Sequence, residues 1–293
     1  MSRRPDDIAE LQSWLAGQAY LADRGLATAI FLALSLGQPL LLEGEAGVGK
    51  TEVAKALAVA LHADLLRLQC YEGIDANQAL YEWDYARQLV HLREVQDSSE
   101  RAASDVFSER FLVERPLLAA IRAGGDAVLL IDEIDRADEE FEAFLLELLS
   151  DFQVTVPEIG TIHADRPPVV VLTSNRTREL HDALKRRCLY CWIDYPDLAR
   201  EVEIVRTRAP EVAADLAAKV AAASRRIRDL DVVKPPGVAE TIGWARALAV
   251  LDADLDPAGA ADTLGAVVKD HDDLRLVSEQ LEWVLQGEPT TSG

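Results

Sequence analysis

Disulfide chemistry has almost nothing to work with in this chain. Three cysteines, Cys70, Cys188 and Cys191, stand among 293 residues. An odd count without a paired framework excludes a disulfide-stapled secreted scaffold. Cys188 and Cys191 form a C-L-Y-C motif, but no second Cys or His pair stands at metal-ligand spacing. The motif also overlaps an apolar strand, so packing is the expected role rather than zinc or redox chemistry. His163, His181 and His271 share no spacing and are assigned none. Long apolar runs are missing as well, and none approaches the roughly 20 residues that a bilayer requires. The opening MSRRPDDIAELQSW turns acidic after two arginines and lacks the apolar centre of a secretion signal, so a cytoplasmic location is expected. Basic residues are outnumbered 30 to 51, for a net charge of −21. Proteins that track nucleic acid need cations to neutralise phosphates, so this balance weighs against nucleic acid and toward protein partners.

What is present organises itself around residues 39–51, PLLLEGEAGVGKT. An apolar run leads into Gly44, Glu45, Ala46, Gly47, Val48, Gly49, Lys50, Thr51 and Glu52, with Gly44, Gly49, Lys50 and Thr51 in the fixed places of a phosphate-binding loop. Glycines let backbone N–H groups curl around phosphate oxygens. Lys50 would reach the β and γ phosphates of ATP, and the Thr51 hydroxyl would hold Mg²⁺. The helix expected over 50–61 points its positive end at the anion. A glycine turn that binds nothing is the plain alternative, and the strand before and helix after argue against it.

A second acidic element follows. AVLLI at 127–131 reads as a buried strand ending in Asp132-Glu133. A carboxylate there can reach a magnesium ion beside the phosphate loop, which assigns metal binding to Thr51 and Asp132. Glu133 is then the general base that polarises the attacking water. The competing reading is a solvated acidic helix start, because Asp135, Asp138, Glu139 and Glu140 crowd the same stretch. Asn175, at the end of the strand expected over 168–173, has an amide suited to orienting that water, or is an ordinary turn residue. Arg186 and Arg187 either cap a helix C-terminus or supply an arginine finger to a neighbouring subunit.

Strands expected at 40–42, 64–70, 127–131, 168–173 and 189–193 alternate with helices at 50–61, 116–122, 138–149 and 177–185. Their apolar runs predict an α/β fold with a parallel sheet covered on both faces. Helices are also expected at 6–17 and 21–36. Residues 71–114 form an aromatic insertion, read either as a mini-core or as a contact surface. Residues 152–163 form a hairpin turning at 157–160. Beyond 196 no strand-like run occurs. Helices at about 197–208, 211–228, 237–251, 257–269 and 272–286 predict an all-helical second domain, with a frayed tail over 287–293. The expected domains are thus 1–195 and 196–286.

Three blocks carry a resemblance to AAA+ ATPases and, within them, to the MoxR family: LLLEGEAGVGKTEVAKALA, VLLIDEIDRADEEFEAFLLELLSDFQVTVPEIG and VVVLTSNRTRELHDALKRR. The resemblance spans about residues 20–250. It implies a P-loop NTPase αβα core, a helical lid and an oligomeric ring, usually a hexamer. It also implies that Asn175 is sensor 1 and that Arg186 or Arg187 is the finger. YEGIDANQALYEWDYARQL and KPPGVAETIGWARAL look most similar to the CoxD-like branch, which is associated with maturation of molybdenum-containing carbon monoxide dehydrogenase. The implied activity is ATP hydrolysis to ADP with Mg²⁺. The implied partners are a von Willebrand factor A-domain protein and a client metalloenzyme. One departure stands out. Where this family follows a proline with the sensor 2 arginine, Pro236 is followed here by Gly237 and Val238, leaving Lys234 and Arg246 as candidate substitutes. The competing functions are a nucleotide-gated switch with little hydrolysis and a nucleic-acid motor, the latter opposed by the charge.

Overall fold

The computed structural model describes residues 4–94 and 106–287. The middle of the aromatic insertion, 95–105, and the tail expected beyond Gly287 lie outside the described residues. The chain forms two compact units. Residues 1–18, 22–43 and 51–192 make one, and residues 19–21, 44–50 and 193–293 make the other.

In the first unit, α1 (Ile8–Gly17) and α2 (Arg24–Leu36) each begin at an aspartate that accepts from the helix's own first turn: Asp7 from the Glu10 N–H and Asp23 from the Leu26 N–H. The strands are β1 (Leu40–Gly44), β2 (Asp64–Gln69), β5 (Ala127–Asp132), β8 (Val169–Ser174) and β9 (Leu189–Ile193), in the spatial order β2-β5-β8-β1-β9. The pairs β2/β5, β5/β8 and β8/β1 are all parallel. Helices α3 (Lys50–Leu61), α6 (Pro116–Ala123) and α7 (Glu139–Asp151) accompany the sheet, with α4 (Ala76–Leu80) and α5 (Tyr85–Glu94) between α3 and α6 in the chain.

Leu41, Leu129, Ile131 and Leu172 are fully buried in one core with Leu117, Phe141 and Leu145. Each such side chain contributes about 1.5–3 kcal/mol relative to exposure. Every residue of β1 and β5 is buried, as the apolar runs imply. The edge strand β2 is different: Asp64, Leu65, Arg67 and Gln69 are exposed there. The sheet is thus left partly open to solvent at β2, and the expectation of uniform cover fails at this edge.

In the insertion, β3 (Tyr81–Trp83) pairs antiparallel with β4 (Leu112–Glu114). Trp83 meets Phe107 edge-on at 5.4 Å and packs with Phe111 and with Val156 from the hairpin β6 (Gln153–Val156) and β7 (Gly160–His163). That is the mini-core reading, although Tyr71, Tyr85 and Phe107 keep an exposed face.

The helix expected over 177–185 shrinks to α8 (Asp182–Lys185). The reason is Asp135. Its buried carboxylate accepts from the Asn175 N–H (3.2 Å), the Thr177 N–H (2.9 Å) and the Thr177 hydroxyl (2.7 Å), and Arg176 between them takes φ 56°. Backbone donors satisfied by a side chain need no helix.

Beyond Ile193 the described residues carry no strand. They form α9 (Leu198–Arg208), α10 (Ala214–Arg228), α11 (Val238–Val250), α12 (Pro257–Val267), α13 (His271–Glu279) and α14 (Leu281–Gln286). The last expected helix is two, broken at Gln280, which leaves helical geometry at φ −110°, ψ 18°. Helix α10 starts three residues late, after Pro210 and a turn. Trp244 centres this core and donates from Nε1 to the Thr263 hydroxyl at 2.8 Å. In the same unit Arg228 grips the fully buried Glu201 with two hydrogen bonds of 2.6 and 2.8 Å. Removing one partner of such a pair strands a buried charge and costs about 3–5 kcal/mol.

Candidate nucleotide-binding site

Lys50 is buried, and its ammonium donates to the Gly44 and Glu45 carbonyls, both at 2.7 Å. Those bonds hold residues 44–50 in a tight curl. Gly47 sits at φ 79°, and a Cβ there would stand 2.6 Å from the Gly237 Cα. The converse also holds, at 2.5 Å. The Val238 N–H donates to the Gly47 carbonyl at 2.9 Å. Two glycines therefore let the start of α11 lie backbone to backbone on the loop. Glu240 closes the arrangement by accepting from the Gly237 N–H at 3.0 Å. Tyr195 adds a second tie, its hydroxyl donating to the Ala46 carbonyl at 3.2 Å. Burial pushes the Tyr195 phenol above its ordinary pKa, which keeps the proton that makes this bond. The ring lies under the Arg228 guanidinium at 4.4 Å, and Arg228 Nε donates to the Pro236 carbonyl at 2.6 Å.

Thr51 follows Lys50 in the chain. Its hydroxyl donates to Asp132 Oδ1 at 3.0 Å. The Thr173 hydroxyl donates to the same oxygen at 2.6 Å. The other oxygen, Oδ2, accepts from Arg67 Nε at 3.0 Å and Nη2 at 2.6 Å. Asp132 is only 2% exposed. Thr51 and Asp132 are hard oxygen donors side by side, a set that suits a small divalent cation such as Mg²⁺ whose remaining ligands come from phosphate and water.

Glu133, next to Asp132, adopts φ 55°, ψ 51°. That left-handed conformation is strained for a glutamate. Thr173 holds the turn by accepting from the Glu133 N–H at 2.9 Å. The Glu133 carboxylate accepts from Gln69 Nε2 (3.0 Å) and Arg136 Nη1 (3.1 Å). Asn175 follows β8, beside β5, and is half-buried.

The architecture has a counterpart among known proteins. Residues 39–188, half of the chain, match the AAA domain (dynein-related subfamily). The chain belongs to this AAA family. Its AAA domain thus spans β1, the acidic strand end and α8. Relatives are similar over more of the length. The gas vesicle ATPase GvpN of Haloferax mediterranei is 27% identical over 271 residues, covering 87% of this chain and 75% of that protein. The uncharacterised protein YojN of Bacillus subtilis is 28% identical over 201 residues, covering 66% of this chain and 59% of that protein. Among solved structures, a proline-to-glycine mutant of RuvB from Thermotoga maritima superposes with a TM-score of 0.53 at 19% identity, covering 98% of this chain and 83% of that one. A putative ATPase from Cytophaga hutchinsonii superposes with a TM-score of 0.50 at 15% identity, covering 92% and 84%. At such identities the likeness is one of fold: a parallel sheet with flanking helices in a P-loop NTPase.

Within this AAA domain, Arg186 and Arg187 are both exposed at the end of α8. The Arg187 guanidinium donates to the Ser150 hydroxyl, whereas that of Arg186 makes no hydrogen bond or ion pair among the described residues. Lys234 pairs with Asp270 at 3.3 Å, and Arg246 pairs with Glu211 at 2.9 Å and bonds the Arg208 carbonyl. Each candidate sensor 2 cation thus makes an exposed ion pair with a carboxylate, and the cation at the Pro236 carbonyl is Arg228. The three cysteines are free. Burial pushes the Cys70 and Cys188 thiols up to about 12, and at Cys70 Asp132 adds to the effect. Thiols held protonated are inert packing groups. No cluster of three or more His, Cys, Asp or Glu suited to a metal occurs among the described residues.

Sequence reasoning did not find Arg67, Gln69, Asp135, Tyr195 or Arg228. Asp135 carried a signal, as the third acid of the DEID run. Arg67 and Gln69 carried a weaker one, as polar residues on one face of a strand.

Proposed function

We propose that this chain is an ATP-hydrolysing AAA+ protein of the MoxR type that works as a homo-oligomeric ring to remodel or mature a client metalloenzyme. The observation that carries the hydrolytic reading is the strained turn at Glu133. It sets a carboxylate one residue beyond Asp132, itself hydrogen-bonded to the hydroxyl that follows the phosphate loop. The backbone donors of residues 44–49 and the Lys50 ammonium bind phosphate oxygens. Thr51 and Asp132 hold Mg²⁺, which when bound neutralises charge on the triphosphate. Glu133 takes a proton from water, and Asn175 orients that water through its amide. Arg186, exposed and uncommitted among the described residues, is the better finger toward a neighbouring subunit. GvpN, a relative over most of the chain, is named an ATPase, which supports the activity.

The CoxD-like likeness of residues 71–89 and 234–248 supports a molybdenum-containing carbon monoxide dehydrogenase as client and a von Willebrand factor A-domain protein as partner. No described helix is long and apolar enough to cross a membrane, and the proposed place of work is the cytoplasm. Steady-state phosphate release tests the chemistry. Glu133→Gln keeps ATP binding and lowers turnover by roughly 100-fold or more. Unchanged turnover in that variant removes the base assignment.

One observation favours a second reading, a nucleotide-gated switch with little basal hydrolysis. The Glu133 carboxylate is engaged by Gln69 and Arg136, and Gly237 stands in the place of a sensor arginine. Turnover that rises only when a partner is added favours the switch; substantial turnover by the isolated chain excludes it.

A further inference from the structure

We propose that Arg67 is a resident counter-cation for Asp132 and sets the magnesium concentration at which this protein holds nucleotide. The inference rests on the nucleotide-binding reading above and adds a residue which that reading does not use.

The two members of the pair are unequal. Asp132 is buried at the end of a central strand, where an unpaired carboxylate is costly. The Arg67 side chain lies on the edge strand β2 and is 49% exposed. The strand register places Arg67 opposite Leu130, two residues short of Asp132, so its side chain runs along the sheet to reach the carboxylate. Nε and Nη2 both land on Oδ2, at 3.0 and 2.6 Å. Oδ1 is taken by Thr51 and Thr173. Four donors thus occupy the two oxygens of Asp132, and one donor group among them carries a full charge.

A divalent cation held by Thr51 and Asp132 would sit beside that guanidinium. Like charges a few ångströms apart near a protein surface repel strongly. The carboxylate is fixed in the core, but the half-exposed arginine has water to turn into. Nη2 also has a second acceptor on its own strand, Gln69 Oε1 at 2.5 Å, which can retain it after it leaves Asp132. The geometry therefore describes an exchange in which Arg67 neutralises Asp132 without metal and yields to Mg²⁺ when nucleotide brings it. Arg67 acts through Asp132 and is a positioning residue. Its removal frees Oδ2 and leaves Thr51 and Thr173 on Oδ1.

The test uses the full chain and a fluorescent ATP analogue, titrated with MgCl₂ from an EDTA baseline, with thermal unfolding in parallel. In Arg67→Met the half-saturating Mg²⁺ concentration falls by about tenfold, because a like charge is gone. Its metal-free unfolding temperature drops, and the rise on adding Mg²⁺ and nucleotide exceeds that of the wild type. Arg67→Lys keeps the charge and stays near the wild-type concentration, and it serves as the folded comparison if the methionine variant is unstable. A half-saturating concentration within twofold of wild type in Arg67→Met, or one that rises, overturns the proposal. If Arg67→Met does not fold, a concentration in Arg67→Lys that departs tenfold from wild type overturns it equally. Wild-type protein that binds no nucleotide overturns the underlying reading instead, and this one with it.

Discussion

Asp132 and Glu133 are adjacent carboxylates with opposite surroundings. Asp132 is buried and accepts four hydrogen bonds, while Glu133 is half-buried on a left-handed backbone. Their partners differ as well: Thr51, Thr173 and Arg67 hold Asp132, whereas Gln69 and the more exposed Arg136 hold Glu133, the proposed base. The two arginines after α8 divide in a similar way. Arg187 is tied to Ser150 within its own chain, whereas Arg186 is uncommitted among the described residues. Arg186→Ala is expected to lower turnover by about 1000-fold with little change in ATP affinity, and Arg187→Ala to keep most of its activity. Parallel kinetic and binding measurements decide this; equal and full activity in both variants places the trans-acting cation elsewhere. The thiols support a pH prediction. Cys70 and Cys188 have pKa values of about 12 when folded against 9.0 unfolded. Folded values above unfolded ones mean that their contribution is intact below pH 9 and is lost as pH rises toward 12. Replacing both by alanine is expected to flatten the alkaline limb of the thermal stability profile, and an unchanged limb contradicts the shift.

The contact between the phosphate loop and α11 belongs to a glycine pair rather than to any side chain. Gly237→Ala drives a Cβ to 2.5 Å from the Gly47 Cα, where only backbone can give way. Destabilisation of about 1–3 kcal/mol is expected, together with weaker nucleotide binding. Gly243→Ala, six residues along the same helix with open space around its Cβ, is expected to be neutral or to stabilise by about 0.5–1 kcal/mol. Urea unfolding followed by tryptophan fluorescence separates the two; similar midpoints would mean the glycine contact is not tight. Elements of this kind differ in how openly the chain announces them. LLLEG, AVLLID and VVVLTS read as buried strands because burial on both faces demands apolar side chains throughout. DLLRLQ reads less clearly, because at the sheet edge Asp64, Arg67 and Gln69 stay exposed and interrupt the apolar run. The short α8 was not legible. The donors that undo the longer helix are satisfied by Asp135, about 40 residues earlier in the chain.

Across the whole molecule, the same distinction separates motif from network. Gly44 to Thr51 and Asp132-Glu133 are contiguous, so their chemistry shows in the sequence. Arg67 and Asp132 are 65 residues apart and meet only because β2 pairs with β5. Tyr195 and Ala46 are 149 apart. Strand order decides such contacts, and no local spacing records it. The net charge of −21 also acts at this scale. It opposes the phosphate neutralisation that a nucleic-acid motor requires, and duplex DNA at low salt is expected to leave turnover unchanged. The proposed activity requires above all that a nucleoside triphosphate be held by the loop that Lys50 closes. The most direct test is calorimetric titration of ATP with magnesium into the wild-type chain and into Lys50→Ala. Binding by the wild type that weakens about 10- to 100-fold in the variant is the expected result; equal affinities, or no binding by the wild type, would contradict it.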